Sequence, residues 1–483
     1  MKGSNFNRRE FVLKTLGLAT SAGALATLSP EKLLARHMLN DPSRIITIDD
    51  DPKSLIDFNE DLILGEGENL RNGLTDSQKV SILQGGTSKT QTIINLALPK
   101  NTKFNVALIE QITGEAQHIV SDTSQTFSFH SYRLRSLHFS KLSPSLQYVL
   151  EVKSESGSLI DRRGVRTIDT DKEPARVALA SCALDLAYGT RELAWKNLAK
   201  AKPDVILLMG DNFYVDIPMP VTSWAPQRLI WGRYMQNRRT QGLYFLDHLI
   251  PVLATWDDHD FGKNDTNGQV PWREFVQKEF RRFFPVLDGD GFSRGPGINF
   301  KWSAFGQDFF MMDSRSYRQH SLFSFTKSTF WGNDQTQWLF DSAEENGNTG
   351  WILNGLQFFG GYLPREESFE ATSKAELESL LTNLKKKSRK FIFCSGDKHH
   401  TEVMKIEKEY LGYSSLELTA SGIHQLQLRN PWSTSPNPRQ IAAAGGHENF
   451  MVINIKRQKS TYLDIFSVAS KHNKILYGFS QKI

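Results

Sequence analysis

The chain has 483 residues, 39% hydrophobic and 23% charged, which suits a soluble globular protein with room for one large domain and a smaller one. A net charge of +5, spread over abundant charge of both signs, gives no electrostatic reason to expect nucleic acid and would not repel an anionic substrate. Two cysteines, Cys182 and Cys394, are too few for a disulfide framework, so each needs a local explanation.

At the N-terminus, Asn7-Arg8-Arg9-Glu10-Phe11-Val12-Leu13-Lys14 is a twin-arginine pattern followed by a mildly apolar Ala/Gly-rich run from Thr15 to Leu28. This order marks residues 1–30 as a signal for the twin-arginine export machinery, and the expected location is periplasmic or extracellular. The run falls short of a stable membrane span, which needs roughly twenty strongly apolar residues. Ala22-Gly23-Ala24 and Ala24-Leu25-Ala26 both fit the cleavage pattern. Residues 31–77, polar and rich in Asp, Asn and Ser, read as an irregular linker.

From 78 to 169 short alternating stretches are separated by turn signals: Thr92–Leu98, Lys103–Leu108, Thr126–Phe129 and Leu146–Val152. No helical period interrupts them, so a small β-sandwich is expected. Leu142-Ser143-Pro144 before Gln147-Tyr148 resembles the turn into a late strand of fibronectin-like domains.

Residues 174–483 change texture. Ala175–Ala180 reads as a strand, Thr190–Ala201 as a helix and Asp204–Met209 as a continuous apolar strand, which implies a parallel pair in an α/β sheet. Pro251–Ala254, Gln307–Met312 and Lys390–Cys394 are further strands, and Glu376–Lys387 is a helix. Leu416–Thr419 and Phe450–Ile455 are expected to complete a second sheet from the C-terminal end.

Each strand of the α/β type ends in polar residues, and the carboxyl ends of such strands converge on one edge where ligands bind. The densest cluster is Asp257-Asp258-His259-Asp260 with Asn264 and Asp265, directly after the strand at 251–254. Carboxylates packed this closely need a cation among them, either a metal or neighbouring Arg and Lys. Oxygen and imidazole donors suit Fe, Mn, Zn or Mg, and extra carboxylates with an amide suit Ca. Gly210-Asp211-Asn212-Phe213-Tyr214 permits a tight turn that brings a carboxylate and a phenolate to one ion. Cys182, just after a strand, is either a thiolate ligand or buried filler, whereas Cys394 inside its apolar run is filler. Gly396-Asp397-Lys398-His399 offers a carboxylate and an imidazole on one short loop. Asp257, Asp260 and Asp265 read as scaffolding that caps the next helix or binds Arg, Gln335 and Trp338 read as packing, and Phe280 and its aromatic neighbours as a helix face against the core.

Together, Ser181-Cys182, Gly210 to Asp216, Trp256 to Asp260 with Asn264-Asp265, Asp313 to Arg318, Gly332 to Leu339 and Ser395 to His400 resemble the alkaline phosphatase D (PhoD-like) family over roughly 80–455. The resemblance implies a calcineurin-like metallophosphatase core, an α/β fold of two sheets in αββα layers, preceded by a small β-sandwich. It implies an exported phosphomonoesterase or phosphodiesterase in which metal-bound hydroxide attacks phosphorus, with Cys182, Asp211, Tyr214 and Asp397 on iron. Asp211 would bridge to calcium or another divalent ion, with Asp258 and Asn264 as candidates for that second position. His259 and His399 would donate a proton or orient a ligand, and Arg315 either binds phosphate or pairs with Asp313. Two other readings remain: a phospholipase-like diesterase on lipid or cell-wall polymers, and a non-catalytic metal- or phosphate-binding protein. Purple acid phosphatases share the Gly-Asp-x-x-Tyr element but carry an Asn-His pair and a later His-x-His that this chain lacks.

Overall fold

The computed structural model describes residues 80–127, 130–185, 191–217, 225–319, 328–344, 346–360, 367–425, 427, 437–457 and 460–483. The export signal expected over 1–30, the linker expected over 31–77, and residues 128, 129 and 190 lie outside them.

Seven strands form the sandwich: β1 (Ser81–Thr87), β2 (Thr92–Pro99), β3 (Phe104–Glu110), β4 (Ile119–Thr126), β5 (Tyr132–Phe139), β6 (Gln147–Ser154) and β7 (Leu159–Arg166). One sheet runs β1-β2-β5-β4 and the other β3-β6-β7. This is the strand order of an immunoglobulin constant-type domain. Alternate residues Ile94, Leu96, Leu98, Leu108, Leu150 and Val152 meet between the sheets. Tyr148, at the start of β6, accepts a hydrogen bond from the Ser143 amide at 2.8 Å, the corner suggested by the Leu142-Ser143-Pro144 turn. Of the strand expected at Thr126–Phe129, Thr126 is the last residue of β4, and residues 128 and 129 lie outside the described residues.

Two sheets form the larger part. In the first, β8 (Ala175–Ala180), β9 (Val205–Met209) and β10 (Val252–Thr255) are parallel, and β19 (Asn449–Arg457), β20 (Thr461–Ala469) and β21 (Lys474–Lys482) extend it antiparallel in the order β10-β9-β8-β19-β20-β21. The second contains β11 (Phe292–Arg294), β12 (Phe300–Ala304), β13 (Gln307–Met311), β14 (Thr349–Leu353), β15 (Phe391–Ser395), β16 (Thr401–Ile406), β17 (Ser415–Ala420) and β18 (Gln440–Ala444). Its order is β11-β12-β13-β14-β15-β17-β16-β18, with β13, β14, β15 and β17 parallel.

Among the described residues the α-helices are α1 (Arg191–Lys200), α2 (Gln227–Thr240), α3 (Asp258–Phe261), α4 (Arg273–Phe283), α5 (Gly332–Ser342), α6 (Phe369–Thr372), α7 (Lys374–Lys385) and α8 (Lys408–Leu411). Between the sheets, Leu179, Leu207 and Met209 pack with Trp302, Phe309, Trp351 and Cys394. The outer face of the first sheet, with Ala178, Ile206 and Leu208, is covered by Trp195 and Leu198 of α1 and Trp231 of α2. The outer face of the second, with Phe310, Ile352 and Phe393, is covered by Leu339 of α5 and Leu380 and Leu384 of α7. The layers are therefore αββα.

The two sheets do not divide the chain as expected. Phe450–Ile455, assigned in advance to the second sheet, pairs with β8 in the first, while Leu416–Thr419 lies beside β15. Apolar runs report that a strand is buried on both faces but not which strand it borders, because the crossovers decide that.

Candidate functional site

Backbone geometry brings the strand ends together. Gly210 has φ +81°, and a Cβ there would lie 2.6 Å from the Cβ of Asp257; one at Gly396 would lie 2.8 Å from the Gly355 carbonyl. These two glycines let the loops after β9 and β15 close on those after β10 and β14. Among the described residues, five of the eleven non-glycine positions with positive φ belong to this edge: Cys182, Asp211, Asp265, Asp397 and His399. Such conformations cost of order 1–3 kcal/mol each and cluster where function requires them.

Three groups of donors line up along the edge. Cys182, Asp211 and His399 place ligand atoms within 4.8 Å of one another, as do Asp211, Asp258 and His259, and then Asp258, Asp265 and Glu367. Asp211 is common to the first two and Asp258 to the last two. The Tyr214 hydroxyl donates to Asp211 Oδ2 at 3.2 Å and lies 3.5 Å from His399 Nε2. Asp211 Oδ1 is buried with no hydrogen-bond partner, a carboxylate oxygen free for a cation.

Electrostatics point the same way. Burial pushes the Cys182 thiol up to about 12. Burial also raises Asp211 well above the ordinary carboxylate range, with Cys182 and Asp258 adding repulsion. Burial, Asp211 and Cys182 likewise raise the Tyr214 phenol. Against burial, Asp258, Asp211 and Asp216 raise His259 well above an ordinary histidine. Burial together with His259 and His400 lowers His399 to about 3. Thiol, phenol and carboxyl donors crowded this way hold their protons unless a cation inverts the balance, and a coordinated metal does so. The residues fit a metal.

The remaining expected site residues separate. Asp397 joins none of the three groups, and its Oδ2 lies 3.5 Å from Lys398 Nζ. Asn264 is solvent-exposed, and its backbone amide donates to Asp216 Oδ2 at 3.0 Å. Arg315, expected on phosphate or on Asp313, is fully buried and ion-paired instead with Asp257 at 2.6 Å and Glu367 at 3.0 Å. A guanidinium held by two carboxylates in the interior has its fork already filled.

Residues 177–454 match the family model for PhoD-like phosphatases. The chain belongs to the PhoD-like phosphatase family. It is a hydrolase acting on phosphoesters. A solved structure described as the structure of PhoD has the same fold, with a TM-score of 0.59 and 15% identity over 83% of this chain and 91% of that one. No curated protein matches the chain in sequence.

In this PhoD-like phosphatase the scaffolding reading of the 257–265 segment holds for two of its three residues. Asp257 is the N-cap of α3 and forms a capping box with Asp260. Asp265 departs from it: its amide donates to Asp258 Oδ2 at 2.6 Å and its carboxylate joins the third donor group. Glu367 was not anticipated, since nothing around it forms a motif; against burial, Arg315 and Arg318 hold its carboxyl well below the usual range. Asp216, which closes the Gly210 to Asp216 motif, has Oδ1 2.7 Å from His259 Nδ1 and fixes that ring. The spacing of Tyr214 and Asp216 on one loop was the available signal. Gln335 packs as expected, donating to the Asp313 carbonyl at 2.9 Å and accepting from its amide at 2.7 Å. Phe280 packs on Trp256 with ring centroids 5.0 Å apart.

Proposed function

We propose that this PhoD-like phosphatase hydrolyses phosphomonoesters or phosphodiesters at a metal centre held by Cys182, Asp211 and Tyr214, with Asp211 bridging toward Asp258. The observation that carries the reading is the unpartnered, buried Asp211 Oδ1 among thiol, phenol and imidazole donors. Iron suits the thiolate and phenolate, and calcium or another divalent ion suits the carboxylates. Asp397 and Asn264 complete the ligand set by family resemblance. When bound, cations at such a site offset the charge on phosphoryl oxygens and acidify a water.

The protein groups have separable tasks. Asp216 accepts from His259 Nδ1–H, so Nε2 is the nitrogen left for the site, and the raised affinity of this ring for a proton suits donation to a leaving oxygen. His399, kept neutral, suits a ligand or an orienting acceptor better than an acid. Arg315 locks Asp257 and Glu367, which hold the walls of the site rather than the substrate.

The leader at 1–30 supports export by the twin-arginine route to the periplasm or beyond. No helix among the described residues is long and apolar enough to cross a membrane.

One assay series tests the reading. The exported protein is purified, its metals are identified, its visible spectrum is searched for a tyrosinate-to-iron band, and monoester and diester hydrolysis are compared before and after chelation. Metal content, colour and chelator-sensitive hydrolysis are expected together. A colourless, metal-free and inactive protein would defeat the proposal.

A further inference from the structure

We infer that Ser421 is a positioning residue that donates a hydrogen bond to the Cys182 sulfur while its oxygen holds the His399 backbone. The inference rests on the metal-site reading for its functional meaning and on geometry for its existence. Ser421 follows β17 directly and is fully buried. Its Oγ lies 2.7 Å from the His399 amide, which can only donate, and 3.1 Å from Cys182 Sγ. A serine hydroxyl has one proton and two lone pairs. With a lone pair taken by His399, the hydroxyl proton has the Cys182 sulfur as its acceptor among the described residues.

Ser181 has two acceptors for its one hydroxyl proton, the sulfur and a carbonyl, and the carbonyl is the nearer. Its Oγ donates to the Ala420 carbonyl at 2.9 Å and stands 3.4 Å from the sulfur. The Ser421 backbone is itself held, because Asn449 Nδ2 of β19 donates to its carbonyl at 2.7 Å. One hydroxyl therefore ties the strand ends of β8, β15 and β17, which come from both sheets. Two of the residues it touches are strained: Cys182 has φ +54° and His399 φ +51°. Left-handed backbone at non-glycine residues persists only where the surroundings over-determine it, and Ser421 supplies part of that determination for both. Groups that hydrogen-bond to a ligating atom fix its direction and tune its bond to a metal.

The test compares wild type, Ser421→Ala and Ser421→Thr in the full chain, stripped by chelation and titrated with Co(II). Ser421→Ala is expected to weaken Co(II) binding by about 10–100-fold and to move the sulfur-to-cobalt absorption band to lower energy. Ser421→Thr, which keeps the hydroxyl, is expected to restore both. A second readout needs no metal: the infrared S–H stretch of Cys182, assigned by its loss in Cys182→Ala, should shift in Ser421→Ala. The S–H stretch of Cys394, buried in the apolar layer between the sheets, should stay in place as an internal control. A Cys182 stretch that is the same in wild type and Ser421→Ala overturns the inference, and so does unchanged Co(II) affinity. Wild-type protein that takes up no Co(II) counts against the metal-site reading alone, because the infrared comparison still decides Ser421.

Discussion

At the scale of single residues, Asp211 and Asp216 do different work although they lie on one loop. Asp211 offers a bare oxygen to two adjoining donor groups, so Asp211→Asn should remove metal from both and lower kcat/KM by more than about 100-fold, the upper range for losing a group one shell further out. Metal analysis beside steady-state kinetics checks this, and full occupancy in the variant would refute it. Asp216 touches the site through the His259 ring at Nδ1 and through the Asn264 backbone amide, with no place in a donor group of its own. Asp216→Asn should therefore lower kcat by about 10–100-fold while metal content and thermal midpoint stay near wild type. A loss of metal instead would assign Asp216 to the centre itself. Most of these donors were legible in the chain, because Cys182, Asp211, Tyr214, Asp258, His259 and His399 each follow an apolar run. Glu367 and Ser421 were not, since each acquires its partners from segments far away in sequence.

The segment from β10 through α3 shows what an element adds. Burial pushes Asp257 to about 7 and Asp260 to about 8, although both accept hydrogen bonds and Asp257 also faces Arg315. Unfolded aspartate releases its proton near about 3.9. Between that value and the folded values the folded chain holds protons that the unfolded chain has lost, so stability falls as pH rises from about 4 to 8. His259 acts in the same direction. Its folded value is raised, so the stability from its charge is full below the ordinary histidine range and is lost as pH climbs through the raised value. Metal-depleted protein should melt at a lower temperature at pH 8 than at pH 5, and metal should largely remove that slope. Parallel thermal scans with chelator and with metal check it; a slope of the opposite sign without metal would contradict it. The capping roles of Asp257 and Asp260 could be read in advance because a helix start has a local signature. Which carboxylate of the segment reaches Glu367 could not.

Across the whole molecule, the sandwich and the phosphatase core share buried structure. Ile82 of β1 faces the sandwich core while its neighbour Leu83 packs against the core beneath α1 and α2. Gly85 and Gly86 run against Pro285 and Leu287, where a Cβ on either would come within 2.7 Å of backbone, and the Gly86 amide donates to Pro285 at 2.8 Å. The Arg163 guanidinium, fully buried, is paired to Asp161 at 2.7 Å and donates to the Val80 carbonyl at 2.9 Å and across to Leu246 at 2.6 Å. Removing one partner of such a pair strands a buried charge, so Arg163→Ala should cost about 3–5 kcal/mol. No tryptophan lies between residues 78 and 169. The tryptophan fluorescence of the core should nevertheless unfold at lower denaturant in this variant, in one transition with the circular dichroism signal. A core transition left in place would mean that the two parts unfold separately.

The sequence by itself determined several of the strands and helices that lead into the site, the polar residues at the ends of those strands and the family they resemble, because all of these depend on neighbours a few positions apart. Tertiary structure decided which sheet each strand joins, that Arg315 serves Asp257 and Glu367, and that Asp216 aims His259. Those outcomes depend on crossovers and on burial shared by distant segments, and no local pattern encodes the partner on the other side of an interface.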